Sequence, residues 1–443
     1  MKRTILLLLL MVFSFVPATY ADEIIGKGEL ITLERAVQIG LKRHPNINAG
    51  QGSVAVNEAK KGQAQAGYWP TLDATAGYER YRPSVNFSGG STGGSTSTNN
   101  IAGTSHSFDQ YSNGATAKQT IFDFGKTWTN VNIQKQNIEA SKADLENTEE
   151  QVILNVKQAY YNLLRVKRNR AVAEDTVNQF KQHLEQAKAF YEVGTKPKFD
   201  VTKAEVDLST ARLGLIRAES SIRLAKVSLN NAMGVPDAPE YGIDDNLAFS
   251  KYVVGLEDAV KKAYENRPEL KALIARRIAA EKAVYVAKTG YFPILTGNAS
   301  WSWSGEDFDR FNTRDGAWNA GMTLSIPIFN GFLTKNQVSE AKANLSILAA
   351  NEEALRQNVL LEVQQSYITL TEQEERIVTV ELTIRQAEEN QEIVTGRYAA
   401  GVGNPIEVTD AEVALGLAKV ALNDALHDYK VAVASLEKAM GSR

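Results

Sequence analysis

One turn occurs twice in this chain, 207 positions apart, and it constrains the fold more than any other feature. Phe190 to Leu208 and Arg397 to Leu415 align without a gap: Tyr191 meets Tyr398, Gly194 meets Gly401, Val201-Thr202 meets Val408-Thr409, and Ala204-Glu205-Val206 meets Ala411-Glu412-Val413. In each copy a long polar helical pattern runs into a glycine suited to a left-handed cap, then a proline, then a new helix, so the chain reverses.

The duplication extends over the whole chain. Leu33-Glu-Arg-Ala-Val, ending at His44-Pro45, returns as Leu256-Glu-Asp-Ala-Val, ending at Arg267-Pro268, and Tyr68-Trp-Pro70 returns as Tyr291-Phe-Pro293. These early landmarks stand 223 positions apart, 16 more than the later ones, which include Phe122 with Phe329, Val156 with Val363, Tyr160 with Tyr367, Leu163 with Leu370 and Gly234 with Gly441. The surplus belongs to the polar run Ser88 to Asn100, which reads as a long exposed loop. Each half is one unit of helix, two strands, helix, turn and helix: repeat one over 33–234, a linker over 235–255, and repeat two over 256–441. Strands are expected at about 69–83, 107–123, 292–306 and 316–330.

Lys126 to Tyr191 and Leu333 to Tyr398 are free of proline, and each predicts a helix on the order of 100 Å long. The flanking helices, Leu33 to Gly67 and Val201 to Met233 with their counterparts, are about half that length, so two end to end match one long helix. Apolar steps such as Val152, Val156, Tyr160 and Leu163, or Val359, Val363, Tyr367 and Leu370, are broken by Lys, Glu, Gln and Asn. An antiparallel coiled coil has such stripes. Their narrowness favours a cylinder wall one helix thick with water on both sides.

The strand segments alternate with period two. Leu72, Ala74, Ala76 and Tyr78 oppose Asp73, Thr75, Gly77 and Glu79, while Trp318, Ala320, Met322, Leu324 and Ile326 oppose Asn319, Gly321, Thr323 and Ser325. The second strand (Ala115, Ala117, Gln119, Ile121) and the third (Leu295, Gly297, Ala299, Trp301, Trp303) follow the rule less cleanly. Tyr78, Trp301, Trp303 and Trp318 lie toward the strand ends, as a membrane girdle would place them; a half-buried soluble sheet has the same alternation. Four strands cannot close a barrel, and an open edge cannot face lipid. If they cross a membrane, several chains share one barrel, and three copies supply twelve strands.

Composition narrows the class. Residues 1–21 read as a signal peptide, with Lys2 and Arg3 ahead of the apolar run Ile5 to Val16 and small residues near Ala21, so the mature chain spans 22–443 outside the cytoplasm. A net charge of -3 in 443 residues gives no footprint for nucleic acid. There is no cysteine for disulfides, thiolate metal sites or lipidation, and His44, His106, His183 and His427 share no ligand spacing. No Gly-x-Ser-x-Gly elbow, His-Glu-x-x-His pair or phosphate loop is present, so we expect neither an enzyme nor a cofactor or metal.

Together these landmarks resemble the TolC-type outer-membrane efflux and secretion channels: the Leu33 and Leu256 openings with Pro45 and Pro268, Tyr68-Trp-Pro70 and Tyr291-Phe-Pro293, Phe122-Asp-Phe-Gly125 and Phe329-Asn-Gly331, and the two Tyr-x-x-Gly turns. The resemblance covers essentially the mature chain. It implies an α+β membrane protein, a homotrimer whose four strands per chain form a 12-stranded barrel in outer-membrane lipid, continued by an α-barrel of long antiparallel helices across the periplasm. A periplasmic adaptor and an inner-membrane transporter are the implied partners, and the implied role is the passive exit duct of a tripartite efflux or type I secretion system. A soluble secreted coiled-coil spacer is the competing expectation.

The same resemblance assigns roles. Val193-Gly194-Thr195 and Ala400-Gly401-Val402 are the adaptor-docking turns at the periplasmic tip. Glu407 and Asp410, three apart on one face at a helix start, match the family's lumen-facing acids; alone they read as a solvated helix start, and threefold symmetry makes them a ring of six carboxylates at the aperture. Asp200 and Tyr398 match a pair that links neighbouring helices and holds the tip shut. Gly403 stands where a gating arginine can occur, and His183 and Thr395 occupy other latch positions, so the latch is expected to be wired differently.

Overall fold

The computed structural model describes residues 25–82, 107–306 and 312–442. The signal peptide, the Ser88 to Asn100 run and His106 lie outside them. Contacts divide the chain into two compact units, the first comprising residues 1–48, 148–261 and 362–443 and the second 49–147 and 262–361.

Elements follow in duplicated order: β1 (Leu30–Ile31), α1 (Leu33–Arg43), α2 (Pro45–Gln65), β2 (Thr71–Tyr81), β3 (Phe108–Phe122), α3 (Lys126–Glu192), α4 (Lys198–Ala232), β4 (Gly242–Ile243), α5 (Leu256–Asn266), α6 (Pro268–Lys288), β5 (Ile294–Gly305), β6 (Ala317–Ser325), α7 (Leu333–Ala399) and α8 (Pro405–Ala439). Helices α3 and α7 each run 67 residues, close to 100 Å at ~1.5 Å per residue. No helix among the described residues is long and apolar enough to cross a membrane.

Two expectations need correction. A single helix over Leu33 to Gly67 does not form: His44 is extended, with φ -65° and ψ 127°, between α1 and α2. A residue before proline is driven out of the helical region by the proline ring, and Arg267 before Pro268 does the same, at φ -55° and ψ 122°. Strand β6 stops at Ser325, short of Ile326 and of the expected end near 330, because Pro327 has no N–H to continue the ladder.

In the first unit the core is a set of narrow stripes. Val152, Val156 and Leu163 of α3 and Val363 and Leu370 of α7 are buried. Tyr160 is fully buried, and its hydroxyl donates to the carbonyls of Ile31, at 3.1 Å, and Asp244, at 2.8 Å, which flank the two-residue parallel pairing of β1 with β4. Burial first, and then the negative Asp244, raises that phenol's pKa above its ordinary value, so it remains a donor. Tyr429 makes a second pin, donating to the Ser250 carbonyl and accepting from the Tyr252 amide, both at 2.8 Å. These two tyrosines tie irregular backbone to the helices, alongside the buried Ile31, Ile243 and Leu247. Ion pairs between helices, Lys157–Glu437, Arg165–Asp424 and Arg376–Asp428, are partly solvated and each contributes little.

In the second unit, glycines set helix approach. A Cβ on Gly67 would meet Thr127 at 2.9 Å, and one on its repeat partner Gly290 would meet Thr334, the repeat partner of Thr127, at 3.0 Å. Both strand-to-helix turns hold two successive left-handed residues, Phe124-Gly125 and Gly331-Phe332. An aromatic residue is therefore strained at each turn, at a cost of roughly 1–3 kcal/mol.

Replacing Tyr160 by Phe takes the hydroxyl donor from the Asp244 carbonyl, while the Ile31 carbonyl keeps the Asp244 amide at 3.1 Å. We expect a loss of about 1–3 kcal/mol, against less than about 0.5 kcal/mol for Tyr367→Phe at the half-buried repeat counterpart. Denaturant midpoints of the helical circular-dichroism signal would measure both.

Candidate functional site

Two regions carry candidate residues: the sheet of the second unit and the paired turns of the first. The sheet order is β2-β3-β5-β6, antiparallel throughout. Its register turns the period-two patterns of single strands into rows. Leu72, Ala117, Ala299 and Ala320 stand side by side, as do Ala74, Ala115, Trp301 and Trp318. Between them run Asp73, Thr116, Ser300 and Asn319, and beyond lie Thr75, Gly114, Ser302 and Ala317. Apolar rows alternate with polar ones, so one face is apolar and the other is not. Among the described residues β2 pairs only with β3 and β6 only with β5, which leaves two unpaired edges.

The expected girdle residues gather at the loop end of this sheet. Trp318 is exposed and lies opposite Trp301; Tyr78 is exposed, stacks on Tyr111 at 5.2 Å between ring centroids, and donates to Asp109 at 2.9 Å. Trp303 differs from the expectation, being only 7% exposed. Its indole covers Gly305, where a Cβ would stand 2.7 Å from the ring, so the missing side chain lets the ring fold over the strand end.

A second belt at the helix end was missed. Trp69, Phe122, Phe329 and Phe332 are exposed there, with Phe124 against Phe122 at 4.7 Å and against Phe292 at 5.2 Å. Trp69 with Phe292, and Phe122 with Phe329, had served as repeat landmarks; their value as interface aromatics lay in the same letters. Nine residues from Trp69 to Tyr78 span ~30 Å of strand. Tilted by 35–45°, that is roughly 20–25 Å, the height of an outer-membrane apolar band.

The two turns are built alike. Gly194 has φ 72° and Gly401 φ 80°, and Thr195 and Val402 return amide bonds to the carbonyls of Phe190, at 3.0 Å, and Arg397, at 3.2 Å. Glycine is needed because the left-handed cap carries no Cβ penalty there. Val193 and Val402 project into solvent, as do Thr195 and Ala400. Asn404 caps α8 by accepting from the Ile406 amide at 3.0 Å. Glu407 and Asp410 are both exposed on the first turns of α8, and Glu407 reaches Arg397 at 3.5 Å.

The latch residues meet in an unexpected way. Tyr398 is fully buried, but its hydroxyl has no hydrogen-bond partner and so makes no bond to Asp200. Its ring packs on His183 and Phe190, with centroids 5.0 and 5.8 Å apart, and burial, then the negative Asp200, raises its pKa. Lys196 does the bridging: its Nζ donates to the Gly403 carbonyl at 3.1 Å and lies 5.4 Å from the Tyr398 ring centre. Lys196 and Gly403 are repeat counterparts, so the cation comes from the first turn. A Cβ on Gly403 would stand 2.6 Å from the Tyr398 amide nitrogen, which bars any larger residue without backbone movement.

Beneath the turns, Asp207 accepts from Lys203 at 2.5 and 2.7 Å and from the Thr409 hydroxyl at 2.9 Å. Glu412 is buried beside it. Neither acid was singled out, because each lies in an ordinary helical stretch and only the pairing of α4 with α8 encloses them. Among the described residues no group of three or more His, Cys, Asp or Glu is placed to hold a metal ion.

Gly403→Ala and Lys196→Ala should each loosen the second turn, Gly403→Ala by about 1–3 kcal/mol of forced backbone shift. Tryptic cleavage after Arg397 should then be faster than in the parent protein; equal rates would show that the turn depends on neither contact.

The family model for "Outer membrane efflux protein" matches residues 36–235 and 259–442. Outer membrane protein TolC of Escherichia coli K12 is 22% identical over 339 residues, covering 73% of this chain and 68% of that protein. Outer membrane efflux protein BepC of Brucella suis is 22% identical, covering 93% and 85%. A crystal structure of CusC superposes with a TM-score of 0.80 at 17% identity, covering 95% of this chain and 98% of the other. With its duplicated architecture matched in both halves, the chain belongs to the outer membrane efflux protein family.

Proposed function

We propose that the chain is one protomer of a homotrimeric exit duct in the bacterial outer membrane, extending into the periplasm and conducting substrates passively from an inner-membrane transporter through a periplasmic adaptor. The observation that carries this reading is the open four-stranded sheet with one apolar face and two unpaired edges. Lipid offers no partner for edge N–H and C=O groups, so such a sheet enters a membrane only when each edge pairs with another copy. Three chains supply twelve strands in a closed ring. A soluble secreted spacer would leave Leu72, Trp318, Met322 and Leu324 on an uncovered apolar face in water.

In this duct the adaptor docks on Val193-Gly194-Thr195 and Ala400-Gly401-Val402, whose solvent exposure and rigid caps suit a docking surface. Asp200 and Tyr398 act as the gate link through charge and packing, with Lys196 as the cation that ties the two turns. Glu407 and Asp410 form the aperture ring and favour cations. In this reading the duct is passive, and transport energy comes from the partner pump.

Fractionation tests the main reading: a heat-modifiable trimer in outer membranes is expected, and a soluble monomer would sink it. For the aperture, Glu407→Ala combined with Asp410→Ala should move the reversal potential of trimers in planar bilayers toward zero under a salt gradient. An unchanged potential would remove both acids from the selectivity ring.

A further inference from the structure

The pairing of α4 with α8 just beneath the turns encloses more charge chemistry than a latch requires. Glu412 is 4% exposed and its Oε2 has no hydrogen-bond partner, while Asp207, 9% exposed, already receives Lys203 and Thr409. A carboxylate left in that position would be desolvated, without a donor, and beside a second negative charge. Asp207 of α4 is the charge that acts on Glu412, and around Asp207 and the latch stand Lys203 and Asp200 of α4, Thr409 of α8, His183 of α3, whose Nε2 is buried and unpartnered, and Tyr398 of α7 against His183. Lys203 is the one cation of that group, and its ammonium is engaged by Asp207.

We propose that Glu412, with Asp207 beside it, is a proton-binding site that closes the two hairpin turns when occupied and loosens them when the proton leaves. This rests on the duct reading only for its functional consequence. Burial first, and the Asp207 charge second, push the Glu412 carboxyl up to about 7. A raised acid favours the closed packing fully below its ordinary value near 4.5, and that contribution is lost as pH rises through about 7. His183 works in the opposite direction: burial lowers its pKa despite Asp207 and Asp200, so its neutral form supports the closed packing and acid below its ordinary 6.5 opposes it. Because burial lowers the His183 pKa, the histidine is neutral above its ordinary 6.5, and the two effects separate there.

The test uses purified full-length trimers of the parent and of Glu412→Gln, which keeps the shape of the protonated acid. Between about pH 6.5 and 8.5, open probability in planar bilayers should rise with pH in the parent and stay at its low-pH level in Glu412→Gln. A flat parent profile, or a variant that follows the parent, overturns the proposal. Infrared difference spectra give a readout independent of conduction: a protonated-carboxyl band lost as pH rises through neutrality, and missing from Glu412→Gln, supports the site, and its absence in the parent refutes it. Trimers that never conduct would instead count against the duct, leaving the infrared band to decide the proton site.

Discussion

Backbone hydrogen bonding at the edges of a four-stranded sheet is the constraint on which this molecule depends. Each edge carries a row of amides and carbonyls that water can satisfy and lipid cannot. The register joins small residues, Ala74, Ala115, Ala117, Ala299 and Ala320, with Leu72, Trp301 and Trp318 in rows across all four strands, giving an apolar face. A face of that chemistry and edges of that chemistry are compatible only if identical copies meet edge to edge. In the proposed trimer, assembly satisfies a row of polar groups at each sheet edge.

The helical part is held by a different balance. Stripes of Val, Leu and Ala are too narrow to bury much area, so fixed geometry is supplied by a few buried polar pins such as Tyr160 and Tyr429, and by glycines that let backbones approach. Duplication provides two copies of the scaffold, and the differences between the copies carry the specialised chemistry. Tyr160 is pinned to two carbonyls whereas Tyr367 is half-buried; Lys196 faces Gly403; Asp207 lies where the second copy has Ala414. The turns are symmetric in backbone and asymmetric in charge, so one turn can hold the other.

Much of this was legible from local pattern. The left-handed caps at Gly194 and Gly401, the breaks at Pro45 and Pro268, the strand alternation and the long proline-free helices all follow from steric rules acting within a few residues, and the repeat then fixed their order. The break after His44 is readable from Pro45, whose ring drives the preceding residue out of the helical region. The end of β6 at Ser325 was likewise written in Pro327. The helix-end aromatics Trp69, Phe122, Phe292 and Phe329 are visible as repeated letters, and only their exposure and the ring contacts through Phe124 in the fold mark them as a group.

The amino-acid sequence by itself determined the duplicated plan, the element types and the reversal of the chain at two glycine turns, since each depends on neighbouring residues. Tertiary structure alone decided that Trp303 folds over Gly305, that Lys196 bonds a carbonyl 207 positions away, that the Tyr398 hydroxyl stays unpaired, and that Glu412 is sealed beside Asp207. A glutamate in a helix reads the same whether it faces water or a second helix. Its protonation depends on desolvation and on charges brought from distant parts of the chain, and no local pattern encodes either.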